Sequence, residues 1–134
     1  MPRAGFSLAP WRWDFAVLAG AFVFTACFHV AAAMRSEIDP EAPAWRHVLF
    51  VGINLTCALG LLVRPLVFIP AFAVLTAQQL WSHGGHAWRM HVEQGAIDFP
   101  SLAVLAVMPA TLILLILDAW RQRGRSASSH SLRT

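Results

Sequence analysis

Four long apolar runs, parted by short segments rich in arginine, tryptophan and proline, constrain this chain more than anything else in it. They cover about 15–34, 47–63, 66–82 and 100–119. A helix that crosses a bilayer needs about 20 mostly apolar residues, and runs of about 17 still suffice. The second and third runs are parted only by Arg64 and Pro65. Joined into one helix they would reach about 54 Å, against a hydrocarbon core of about 30 Å, so they predict two helices meeting in a tight antiparallel hairpin. Composition agrees: 57% of the residues are hydrophobic, 13% are charged, and the mean hydropathy is +0.58. That balance is too apolar for a small soluble domain.

The expected fold is all-α: an integral membrane, antiparallel four-helix bundle with four transmembrane helices in up-down order. Residues 1–14 form a cytoplasmic segment, 15–120 a single transmembrane domain, and 121–134 a disordered cytoplasmic tail rich in arginine and serine. Direction comes from arginine, which in short flanking segments resists transfer across the membrane. Arg3, Arg12, Arg64, Arg121, Arg123, Arg125 and Arg133 fall on one side, and Arg35, Arg46 and Arg89 on the other. Both termini are therefore expected in the cytoplasm, in a bacterial inner membrane. Trp11, Trp13 and Trp120 mark the inner interface, and Trp45, Trp81 and Trp88 the outer one. The pI near 10.1 does not indicate nucleic acid, because the arginines lie between apolar runs and form no single basic face.

The stretch FTACFHVAAAM contains a lipobox-like F-T-A-C and small residues spaced like a peptidase site. Asp14 and the length of the first run favour an uncleaved helix. Cys27 and Cys57 lie in apolar runs and behave there as small hydrophobes. Asp39-Pro40-Glu41 and Asp98-Phe99-Pro100-Ser101 read as helix starts with aspartate as cap. Gly84-Gly85 reads as the stop of the third helix, leaving the following residues as a polar outer loop.

Inside the spans, Gly52, Thr56 and Gly60 recur every fourth residue, a ridge that lets another helix approach closely, and Asn54 points to nearly the opposite side. Thr76, Gln79 and His83 share one stripe of the third helix, as Thr25 and His29 share one of the first. These polar stripes are expected to face the bundle and to form a pocket from His29, Gln79 and His83 open to the outside. Most histidines belong to the outer half. His83, His86, His91 and Glu93, with His29, would supply a zinc- or copper-like set if they converged. The plainer reading makes them interfacial polar groups. A b-type haem would need two axial ligands at matched depth, for which His29 with His83, or His47 in place of either, are the candidates. No nucleophile motif, phosphate loop or metalloprotease helix is present.

The hydropathy order over most of the chain, four spans with a tight central hairpin and an outward polar loop, resembles that of small bacterial membrane families such as the DoxX-like proteins. It carries no shared motif, so no residue role follows from it. The functional expectation is a non-enzymatic accessory or assembly subunit whose partners are the lipid bilayer and other membrane proteins or its own copies, with no cofactor. The alternative is a redox or metal-handling protein using haem, copper or zinc at the outer histidines.

Overall fold

The structure, a computed structural model, describes residues 12–35, 37–39 and 42–131, with side chains through Gly124. Residues 1–11, Ser36, Pro40-Glu41 and the last three residues lie outside the described residues. The described chain is all-helical: α1 (Trp13–Met34), α2 (Ala44–Val63), α3 (Phe68–Gln94) and α4 (Phe99–Ser131). Three helices, Trp13–Met34, Ala44–Val63 and Phe99–Gly124, are long and apolar enough to cross a membrane. α3 falls short of that measure because Gln78, Gln79, Ser82 and His83 sit in its middle. The chain divides into two compact units, Met1–Pro65 and Leu66–Thr134, each built on one helical pair.

In the first unit α1 opens with Asp14 in its first turn, where a carboxylate suits the helix dipole and accepts the Phe15 N–H at 3.0 Å. Arg12 donates from Nε to Asp14 Oδ1 at 3.0 Å. The helices pack along a seam of alternating three- and four-residue steps. α1 contributes Phe15, Ala19, Phe22, Ala26 and His29, and α2 contributes His47, Phe50, Asn54, Cys57 and Leu61. The alanines allow close backbone approach, which is what holds helices together where hydrophobic transfer no longer drives association. Phe15 beside Arg64 at one end and His29 beside His47 at the other show that the pair is antiparallel.

Arg64 ends α2 in the left-handed region, at φ 51 and ψ 49. Proline at position 65 disfavours a helical conformation in the residue before it, which gives the stop its cause. A left-handed arginine costs about 1–2 kcal/mol. The guanidinium of Arg64 lies 4.9 Å over the Phe15 ring, as does that of Arg12. Each such contact contributes about 0.5–2 kcal/mol according to its desolvation, enough to offset the backbone strain.

The second unit departs from the sequence expectation in one important way. α3 does not stop at Gly84-Gly85; it continues to Gln94 and is ended by Gly95, at φ 62, whose N–H bonds His91 O at 3.1 Å. Two interior glycines cost about 1 kcal/mol each relative to alanine. Contact with α4 compensates: His83 reaches Ser101, and Gly84 lies against Leu105. The stretch read as a polar outer loop is therefore mostly helix, and the connection to α4 shrinks to 95–98. Pro70 falls in the first turn of α3, where its missing N–H has no intrahelical partner to lose. Buried positions on α4, namely Ser101, Met108, Thr111, Leu115, Asp118 and Ala119, repeat the same stepped seam.

Two further boundaries differ. α2 begins at Ala44 after Pro43, so Asp39 is not its cap. α4 remains helical through Ser131, where a disordered tail from 121 was expected. Its Arg121, Gln122, Arg123, Arg125 and Ala127 are good helix formers, and a helix already fixed by packing propagates into them cheaply.

Candidate functional site

Each helical pair carries a polar cluster at the end where its connection lies. In the first pair His29, half-buried on α1, and His47, 3% exposed on α2, bring their Nδ1 atoms to 3.1 Å. Phe50 stacks on the His29 ring at 5.1 Å with 18° between planes, and Phe28 meets it edge-on at 5.5 Å. The far side of the His47 ring faces the connection, with Asp39 Oδ2 at 3.7 Å from Nε2. That separation is beyond a hydrogen bond, and among the described residues Nε2 has no hydrogen-bond partner.

In the second pair His83 Nδ1 lies 2.9 Å from the buried Ser101 hydroxyl. Asp98 caps α4 as expected, its Oδ1 accepting the Ser101 N–H at 3.4 Å, and its Oδ2 lies 3.4 Å from His86 Nε2. Hydrogen bonding from the Ser101 side chain, then from its backbone, holds the Asp98 carboxyl below its ordinary value, with smaller help from His86 and His83. Serine, histidine and aspartate meet here in the wrong order for nucleophilic catalysis. The aspartate accepts from the serine directly, whereas in a catalytic triad it would act on the serine through the histidine, and Ser101 is shut from solvent at 2% exposure.

Histidines and acids expected to gather as a metal set are spread along α3. From His83 to Glu93 is about 15 Å at 1.5 Å per residue, so His83, His86, His91 and Glu93 cannot meet at one ion on this helix. Among the described residues no group of three or more histidines, cysteines or acids is arranged to hold a metal. His29 belongs to the first pair, and Gln79 and His83 to the second.

The remaining polar residues within the apolar helices mostly satisfy themselves. Thr25 donates to Ala21 O at 3.0 Å, Asn54 to Phe50 O at 2.8 Å, Thr56 to Gly52 O at 2.8 Å and Thr76 to Phe72 O at 2.8 Å. Gln79 donates to Gln78 Oε1 at 2.8 Å. Asn54 is buried on the seam that α1 covers, and Gly60 is buried as well. Gly52 and Thr56 are exposed, and a Cβ added at Gly52 meets nothing within 4 Å among the described residues.

Two residues were missed in the sequence. His47 was read only as a substitute ligand, although its spacing of 18 from His29 equals that of Ser101 from His83. Asp118 lies buried near the far end of the α4 span and accepts from Gln122 Nε2 at 2.7 Å. An acid inside an apolar run was the available signal. Compared with known families, curated proteins and solved structures, the chain has no match.

Proposed function

We propose that this helical protein is a small multi-pass inner-membrane subunit, both termini cytoplasmic, that acts by packing against other membrane proteins or its own copies and carries out no chemistry of its own. The observation that carries this reading is the division of α2 into two faces. α1 takes the Asn54 side, and the side bearing Gly52 and Thr56 is left exposed. Because the Thr56 hydroxyl is bonded back to Gly52 O, that side offers a smooth groove with no donor stranded in lipid.

α3 enters the same scheme despite its modest hydropathy. Its polar residues Thr76 and Gln79 are buried, while Val74 is 73% and Trp81 86% exposed. Thr76 and Gln79 turned inward lower the average without themselves facing lipid, and the exposed Gln78 and Ser82 are hydrogen-bonded within the helix, to Gln79 Nε2 at 2.8 Å and Gln79 O at 3.4 Å, which supports a fourth crossing. Crosslinking in native membranes tests the role. The wild-type chain is expected to crosslink to a partner or to itself, and Gly52→Leu to abolish it by filling the groove. A chain that is monomeric before and after that substitution contradicts the reading.

A further inference from the structure

We propose that His29 and His47 form an exchangeable binding site for a borderline divalent transition-metal ion, Zn²⁺ or Cu²⁺, each ligating through Nδ1. The two Nδ1 atoms stand 3.1 Å apart across the α1–α2 seam. An ion at about 2.0–2.1 Å from both nitrogens would see them at an angle of roughly 100°, between tetrahedral and octahedral values. In the metal-free chain the two Nδ1 atoms share a proton in a hydrogen bond, which the ion would displace.

Three features beyond the distance point the same way. His47 Nε2 is buried with no hydrogen-bond partner among the described residues, yet Asp39 Oδ2 stands 3.7 Å behind it. A carboxylate behind the distal nitrogen is how metal-bound imidazoles are oriented, and Asp39 at 3.7 Å is near enough to close to a hydrogen bond on Nε2 when Nδ1 takes the ion. Phe50 stacks on the His29 ring and Phe28 meets it edge-on, which steadies its plane. Imidazole donors select zinc, copper or nickel over magnesium and calcium, which demand oxygen.

Only two protein donors converge, since among the described residues no third histidine, cysteine or acid joins them. The ion therefore keeps open positions for water or a small ligand. Closed four-ligand sets mark structural zinc, so this arrangement suits an ion that comes and goes. The inference does not depend on the packing role, because Gly52 and Thr56 lie on a different face of α2.

The test uses the full chain, purified in mild detergent with a tag free of histidine, stripped with chelator and then titrated separately with Zn²⁺ and Cu²⁺. About one equivalent is expected to bind to the wild type. His29→Gln and His47→Gln are each expected to weaken binding at least tenfold, and Asp39→Asn by about 10–100-fold, the usual loss for a residue that orients a ligand. His86→Gln and His91→Gln should leave it unchanged. Helix content by circular dichroism checks that the variants fold. If His47→Gln does not fold, protection of His29 and His47 from diethylpyrocarbonate by Zn²⁺ in the wild type replaces it. Absence of binding, undiminished binding in a His29→Gln, His47→Gln double variant, or equal modification with and without metal would each overturn the proposal.

Discussion

Gly85 and Gly95 invite the same substitution with opposite outcomes. Gly85 lies inside α3 and Gly95 ends it at φ 62, and a Cβ added at either meets nothing within 4 Å among the described residues. Packing is thereby removed from both comparisons, leaving backbone effects alone. Alanine at Gly85 should stabilise by about 0.8–1 kcal/mol, the propensity difference in a helix interior. Alanine at Gly95 should destabilise by about 1–2 kcal/mol, the cost of placing a Cβ in the left-handed region. The two variants should then differ by about 2–3 kcal/mol, at least tenfold in the unfolding equilibrium at about 1.4 kcal/mol per decade. Unfolding in mixed micelles with increasing dodecyl sulfate, followed by circular dichroism, measures each against wild type. If Gly85→Ala destabilises by as much as Gly95→Ala, the helix stops near residue 85 and the reasoning fails.

Asp98→Ala should lose about 1 kcal/mol through the α4 cap, whereas Asp98→Asn, which can still cap, should lose only the charge contribution of about 0.3–1 kcal/mol. Because the folded carboxyl titrates below the ordinary 3.8, that charge contribution is complete above this value and fades only as pH falls through the lower folded one. A difference between wild type and Asp98→Asn that vanishes between about pH 7 and 5 would assign it to a histidine instead. Leu61, at 0% exposure on the α1–α2 seam, should cost about 2 kcal/mol when replaced by alanine, the low end for leucine truncation, because lipid removes much of the transfer contribution; the same micelle titration reads it.

The helical plan was legible because bilayer thickness fixes how long an apolar run must be, and Arg64-Pro65 could only be a break. Asp98 was legible as a cap because a short acceptor before Phe99-Pro100 has one obvious use. The end of α3 was not, since Gly-Gly reads locally as a stop and the compensating contact with α4, His83 on Ser101 and Gly84 against Leu105, is not visible in the sequence. Gly52, Thr56 and Gly60 were visible as a ridge, but nothing in their spacing says which neighbour fills it. The stepped seam through His47, Phe50, Asn54, Cys57 and Leu61 was equally present in the sequence, masked by its mixture of residue types. The His29–His47 pair was hidden for a related reason: depth could be read from each run, but rotation of one helix about another could not.

Whether α3 crosses the bilayer decides the whole arrangement, and reporter fusions placed after Arg64, after Gly95 and after Thr134 measure it directly. Fusions after Arg64 and Thr134 should report the cytoplasmic side, and the one after Gly95 the opposite side. A carboxyl terminus on the outer side, which follows if only three helices cross, would contradict the proposed four crossings.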